Sequence, residues 1–107
     1  MKGVEFIGAS LKMVREFPAI AKREAGHQLD RVQRGLDPMD WKPMASVGKG
    51  VREIRIHHEG QYRVIYVVSF EESIYVLHAF QKKTRKTSRK DLEIAKRAIK
   101  EVLKRQQ

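Results

Sequence analysis

Residues 51–80 read VREIRIHHEGQYRVIYVVSFEESIYVLHAF, and this stretch decides the fold. Ile54 and Ile56 recur with a period of two, which is typical of a β-strand with one buried face. The later segments QYRVIYVVSF and IYVLHAF are rich in β-branched and aromatic residues, as strands are. Short turns at 59–61 and 71–73 connect antiparallel neighbours. The stretch therefore predicts a three-strand antiparallel meander.

The residues before the meander predict one short strand and two helices. Residues 3–8 alternate weakly and favour a strand. Ser10 is expected to cap a short helix, and Pro18 ends that helix or starts the next. Gly35 is a natural C-terminal cap for the second helix. The apolar helical positions are Leu11, Val14 and Phe17 in the first helix, and Ile20, Ala25, Leu29 and Val32 in the second.

Residues 36–50 contain two prolines, two glycines and two aspartates, which is loop chemistry. We expect Trp41, with Met39 and Met44, to pin this loop to the core. The alternative is that Trp41 stacks on a ligand.

The chain after the meander predicts a last helix. Ser88 and Asp91 have the spacing of a capping box, with Asp in place of the usual Glu. An apolar stripe follows at helical spacing, formed by Leu92, Ala95, Ile99, Val102 and Leu103. The whole chain, 1–107, therefore reads as a single α+β domain. A small antiparallel sheet, the meander plus a possible short N-terminal strand, packs against two N-terminal helices and one C-terminal helix.

The charge is high and uneven. The 107 residues carry a formal net charge of +10, and the basic excess lies mostly after residue 81. Such a charge favours anionic partners: nucleic acid, an acidic protein or a membrane surface.

The sequence contains no cysteine, which excludes disulfides, thiolate zinc sites and cysteine nucleophiles. With no signal peptide and no apolar run of ~18 residues, we expect a cytoplasmic protein without membrane contact.

The usual enzyme motifs are missing from the sequence. We find no phosphate-binding glycine loop, no HExxH motif and no nucleophile elbow. His57 and His58 are adjacent, so on a strand they would point to opposite faces and would not share a metal easily. We therefore expect neither a metal nor a cofactor.

Basic residues on neighbouring strands are the strongest candidates for chemistry. Arg55 points outward on the first meander strand, Arg63 opens the second, and Lys82 and Lys83 follow the third. In an antiparallel meander the end of the third strand lies beside the start of the second. These cations are therefore expected to converge, although the register is not fixed by sequence.

Such a cluster suits a phosphate, because arginine offers paired donors and lysine a compact charge. RNA carries its own nucleophile, the 2′-OH, so cations and one acid–base group are enough for cleavage. His78 suits that role by its intrinsic pKa, although a lone strand histidine is often structural. Further candidates are Tyr66 and Phe80 for stacking on bases, with core packing as the alternative for the tyrosine, and Arg85 and Lys86 for binding the phosphate backbone.

An ordered set of short motifs runs through the chain: FP (17–18), VQRGLDP (32–38), WKPM (41–44), VREIR (51–55), YRVIY (62–66) and VLHAFQKKTRKT (76–87). Followed by an amphipathic helix, this set resembles the phage-derived, HigB-like branch of the RelE/ParE toxin superfamily. The most specific part is VLHAFQKKT with the capped helix behind it.

The resemblance implies an mRNA interferase, which cleaves mRNA without metal and usually on the translating ribosome. It implies a cognate antitoxin, commonly of the helix-turn-helix type, so that DNA would be contacted only through the antitoxin. Carried over by motif, the catalytic residues would be Arg55, Arg63 and Lys82, with Lys83 next to it. The sequence departs from the best-known pattern at Glu53, where a second lysine is expected, and lacks a tyrosine just after the last strand. The proton acceptor is therefore open between His78 and Lys82.

Two other functions remain open from the sequence. ParE-like members of the same superfamily bind DNA gyrase and cut nothing, and their key surface would be the C-terminal helix. A third possibility is an RNA-binding module without catalysis. The HAFQKKT motif favours the nuclease.

Overall fold

The computed structural model describes residues 1–68 and 73–106, and these residues form five strands and three helices. The strands are β1 (Gly3–Phe6), β2 (Trp41–Pro43), β3 (Val51–His57), β4 (Gln61–Val67) and β5 (Ser73–Lys82), and the helices are α1 (Ser10–Arg15), α2 (Ala19–Gln33) and α3 (Arg89–Arg105). One sheet contains all five strands in the order β1-β5-β4-β3-β2. The predicted α+β fold is confirmed.

The sheet is mixed, whereas the prediction was an antiparallel sheet. β1 pairs with β5 in parallel, while the meander of β3, β4 and β5 is antiparallel as predicted. β2 is a strand inside the predicted loop 36–50, and it pairs antiparallel with β3. The predicted second strand extended to residue 70, but 69–72 lie outside the described residues, as does most of the predicted turn at 71–73.

Cores lie on both faces of the sheet. On one face, α1 and α2 cover side chains such as Ile54 and Val64. On the other face, α3 covers side chains such as Ile65 and Leu77. Cross-strand partners share a face, so the register assigns each polar residue of the sheet to one of these two sides.

Three residues predicted to be buried are exposed instead. Ile20 is 51% exposed and Leu103 49%, while Met39 is 73% exposed. The buried stripe of α2 begins one residue later than predicted, at Ala21, because that position shares a face with Ala25. Met44 is buried and holds the loop to the core, as predicted, whereas Met39 does not.

The helix ends differ from the predictions at one position. Ala9 precedes α1 as its cap, and Ser10 lies inside the helix with its hydroxyl donating to the carbonyl oxygen of Val76 at 3.1 Å. Ser10 therefore fastens the helix to β5 instead of capping it. Ser88 caps α3 as predicted, because its side chain accepts from the backbone N–H of Asp91 at 3.1 Å. In the described ranges no helix combines the length and apolarity that crossing a bilayer requires.

Candidate functional site

Four cations meet on the face of the sheet that α3 covers. Arg55 lies directly opposite Arg63 across β3 and β4, and Arg63 lies opposite Phe80 on β5. Lys82 is two residues further along β5, and Lys42 on β2 is the partner of Glu53 on β3. We call Lys42, Arg55, Arg63 and Lys82 the cation cluster. The predicted convergence of Arg55, Arg63 and Lys82 is therefore what the register produces.

A buried carboxylate lies within the cation cluster. Glu53 is fully buried, and its Oε1 is 3.5 Å from Nε of Arg63 and 3.9 Å from Nζ of Lys42. On its other oxygen, Glu53 accepts a long hydrogen bond of 3.5 Å from the hydroxyl of Thr87. Glu53 is therefore the counter-ion that allows Arg63, itself only 3% exposed, to remain charged inside the protein.

The environment lowers the pKa of two members of the cation cluster. Burial lowers the pKa of Lys82, and the positive charges of Arg63, Lys42 and Arg55 lower it further, against the opposing effect of Glu53. Burial and the charge of Arg55 likewise lower the pKa of the Arg63 guanidinium, although Glu53 opposes them. Lys82 therefore releases a proton more readily than an isolated lysine.

His78 lies beside the cation cluster and contacts the start of α3. Its Nε2 is 2.7 Å from Oδ1 of Asp91, and the hydroxyl of Ser88 donates to Oδ2 of the same carboxylate, also at 2.7 Å. The imidazole is 4% exposed and stacks on Phe80, with ring centroids 5.2 Å apart. This chain of contacts ties the first turn of α3 to β5. The surroundings do not match those of the free acid–base group that the sequence suggested.

Tyr66 is not brought to the cation cluster. It is fully buried on the opposite face of the sheet, in the core beneath α1 and α2, and burial raises the pKa of its hydroxyl. No ring surface is left for a nucleic-acid base, so the prediction that Tyr66 stacks on RNA is corrected: its packing is that of a core residue. Phe80 lies on the correct face but is only 4% exposed, because His78 covers its ring.

The remaining predicted residues lie on the connector between β5 and α3, which spans 83–88. Lys83, Arg85 and Lys86 are exposed there. A hollow of about 180 Å³ opens at this point, lined by Phe80, Lys82 and Lys83 among others. The hollow joins the cation cluster to the basic connector.

Trp41 lies on the other face of the sheet. The guanidinium of Arg52 lies 4.0 Å from the centroid of the indole ring, and Arg52 also forms a 2.9 Å ion pair with Asp37. Trp41 is therefore part of a cation–π stack that fixes the 36–50 segment on β3.

Sequence reasoning missed four residues of the site. Lys42 was hidden because a three-residue strand leaves almost no periodic signal. Glu53 was noted only as a departure from a family pattern, yet an acid on a strand with apolar neighbours was a signal of a buried ion pair. Thr87 and the contact of Asp91 with His78 depend on tertiary packing, which no local sequence pattern indicates. Within the described ranges, no group of three or more histidines and carboxylates could hold a metal ion.

Comparison with known proteins assigns the chain to a family. No curated protein matches the chain. A family model described as phage derived protein Gp49-like (DUF891) matches residues 12–100, which includes most of the described elements and all of the cation cluster. That family is associated with toxins of the RelE/HigB type. On this match, the chain belongs to the phage-derived Gp49-like family.

Proposed function

We propose that this protein is the toxin of a type II toxin–antitoxin system and that it cleaves mRNA on the ribosome without a metal. The observation that carries the proposal is the cation cluster, built from four adjacent strands around the buried Glu53. The Gp49-like family supports the coarser statement that the protein is a toxin. The motif resemblance to the HigB-like branch of the RelE/ParE superfamily supports the finer one.

The proposed reaction is an internal transfer at phosphorus. The 2′-oxygen of one nucleotide attacks the adjacent phosphorus and loses its proton to a base. The bond from phosphorus to the 5′-oxygen breaks, and that oxygen takes up a proton. The products are a 2′,3′-cyclic phosphate and a 5′-hydroxyl, so no water is consumed.

The cation cluster would stabilise the charge that develops on the phosphorane. Lys42, Arg55 and Lys82 are partly exposed and can contact phosphate oxygens. Arg63 lies beneath them, where its buried charge adds to the positive potential without needing direct contact. Preorganised charges of this kind are commonly the largest single contribution to catalysis.

Lys82 is our candidate for proton transfer. Its lowered pKa makes the neutral amine more available than in an ordinary lysine, so Lys82 can take the proton from the 2′-oxygen and return it to the departing 5′-oxygen. It stands at the exposed edge of the cluster. His78 is assigned a positioning role, because Asp91 already engages its Nε2. Lys83, Arg85 and Lys86 would hold the RNA backbone on the connector.

A cognate antitoxin of the helix-turn-helix type is the expected neutralising partner, and the cytoplasm, where ribosomes translate, is the expected location.

The test is induction of the protein in bacterial cells, with genome-wide mapping of mRNA 5′ ends. Arg55→Ala and Lys82→Ala should abolish both growth arrest and new ends, while Lys12→Ala on the exposed side of α1 should leave both intact. Purified protein should cut the same message only when ribosomes are present. Growth arrest without new mRNA ends would refute the proposal, and stalled gyrase–DNA complexes would then favour the ParE-like function. Salt-sensitive RNA binding without cleavage, with or without ribosomes, would leave only an RNA-binding module.

A further inference from the structure

A second surface lies apart from the cation cluster, between α1 and α3. It is a groove of about 690 Å³ that opens over β5. Ile7 and Leu77 form its buried floor, and Met13, Ile94 and Ala98 form apolar walls. Ile94, on α3, is an apolar side chain that packs in neither of the two cores.

The rim of the groove carries two cations without ion-pair partners. Lys90 and Arg97 line it, and neither forms an ion pair with any residue in 1–68 or 73–106. The two acids at the groove already have partners. Asp91 binds His78 at 2.7 Å, and Glu101 binds Arg105 at 3.2 Å. The groove therefore presents an apolar floor beneath free cations.

We propose that this groove binds an acidic amphipathic helix of a partner protein. The wall of α3 extends from Lys90 to Glu101, which is about 16 Å at the rise of an α-helix. Three turns of a partner helix would fit beside it, with apolar residues at i, i+3 or i+4, and i+7 facing the floor. Glutamates on the flanks of that helix would meet Lys90 and Arg97.

Two other occupants fit the groove less well. RNA would leave Ile7, Leu77 and Ile94 without apolar contact. Its phosphates would meet two cations in the groove, whereas the cation cluster offers four. A second copy of the chain carries the same net charge of +10, which opposes self-association through a basic rim.

The groove and the cation cluster are distinct but adjacent. Asp91 lines the groove and also the hollow beside Lys82, so the contact between Asp91 and His78 forms the wall between them. A partner in the groove would therefore lie against the helix start that holds the connector 83–88. The proposal concerns binding alone and stands whether or not the cation cluster cleaves RNA.

The probe is a fluorescein-labelled helical peptide of ~14 residues, with leucines on one face and glutamates on the flanks. A control peptide has the same charges but serines in place of the leucines. Binding to the intact protein is followed by fluorescence anisotropy at ~150 mM salt, where exposed charges alone are strongly screened. We expect saturable binding of the leucine peptide and none of the serine peptide.

Matched variants place the binding in the groove. Ala9→Glu adds a carboxylate to the exposed start of α1 at the groove, and Ala19→Glu adds the same group to the exposed start of α2. Ala9→Glu should weaken peptide binding about tenfold or more, because like charges meet in an apolar contact, and Ala19→Glu should not change it. Circular dichroism of each variant establishes that it is folded before binding is measured.

Several results would overturn the proposal. They are absence of saturable binding, equal binding of the serine peptide, and equal weakening by the two substitutions. Displacement of the peptide by an RNA oligonucleotide from wild type but not from Ala9→Glu would assign the groove to nucleic acid. A dimer in sedimentation that Ala9→Glu dissociates would assign it to a second copy of the chain.

Discussion

Replacing the buried carboxylate Glu53 by glutamine should destabilise the protein strongly. Glutamine keeps the size of the side chain but removes its negative charge. Arg63 would then remain buried, 3% exposed, without the carboxylate that now lies 3.5 Å from its Nε. Lys42 would lose the same partner, and Arg55 directly opposite Arg63 would add repulsion.

The size of the effect follows from the burial of the pair. Removing one partner of a buried ion pair leaves an uncompensated charge, which costs about 3–5 kcal/mol. With the urea dependence usual for a small protein, about 1–3 kcal/mol per M, this lowers the midpoint of unfolding by about 1–5 M. The loss should shrink in the double variant Glu53→Gln/Arg63→Met, because the stranded charge is removed together with its counter-ion.

The assay is urea unfolding of the wild type, the two single variants and the double variant, followed by tryptophan fluorescence and circular dichroism. Sulfate should restore part of the stability of Glu53→Gln, because a bound anion can replace the missing carboxylate. Sodium chloride at equal ionic strength serves as the control, since it screens charge without offering a tetrahedral dianion.

Two outcomes would refute this reasoning. One is a Glu53→Gln variant that unfolds at the same urea concentration as the wild type. The other is a double-variant cycle without coupling, in which the losses from the two single substitutions simply add. Either result would mean that Glu53 does not neutralise Arg63 in the folded protein.

Three further predictions concern the residues around the site. The folded state lowers the pKa of Lys82 below 10.5, so the folded protein releases this proton at a lower pH than the unfolded chain. The free energy of unfolding should therefore rise with pH between the lowered pKa and 10.5. Urea unfolding across this range should show a smaller rise in Lys82→Met than in the control Lys83→Met. Ser88→Ala removes the cap of α3 and should cost about 1 kcal/mol; an unchanged thermal midpoint would contradict this. Gly60 has φ +147° and its added Cβ would lie 3.3 Å from the ring of Tyr62, so Gly60→Ala should cost about 1–3 kcal/mol in the same unfolding assay.

The meander was predictable because its signals are local. Alternating apolar residues identify β3, and short turns such as the one at Gly60 leave only antiparallel pairing. Once the pairing is antiparallel, the start of β4 must lie beside the end of β5, so the meeting of Arg63 with Lys82 follows from topology alone. The cap at Ser88 was predictable for the same reason, since all its atoms come from one turn of chain.

The parts that were not predictable depend on contacts between distant segments. The parallel pairing of β1 with β5 joins residues about 70 positions apart, and nothing local to Gly3–Phe6 indicates which edge it takes. Tyr66 and Arg63 are both on β4, three residues apart, and the period of two places them on opposite faces. Their assignment to a common site ignored that parity, although the sequence contained it. His78 was judged by its intrinsic pKa, while its actual partner, Asp91, comes from the next helix.

The buried acid among the cations also bears on how the proposed reaction would gain its rate. Without Glu53 the cation cluster would attract any anion strongly, including the substrate phosphodiester in its ground state, and binding energy shared by ground and transition states does not accelerate the chemical step. With Glu53 present, part of the positive charge is already neutralised, and the phosphodiester, with one negative charge, is held less tightly. The phosphorane carries a second negative charge on the same oxygens, so the remaining positive potential acts most strongly on the transition state. On this argument Glu53→Gln, assayed in sulfate-free buffer under conditions where it is still folded, should bind RNA more tightly than the wild type and should cleave the bound RNA at least as fast, because the added potential acts on one charge in the ground state and on two in the transition state. Unchanged binding, or slower cleavage of the bound RNA, would contradict the argument.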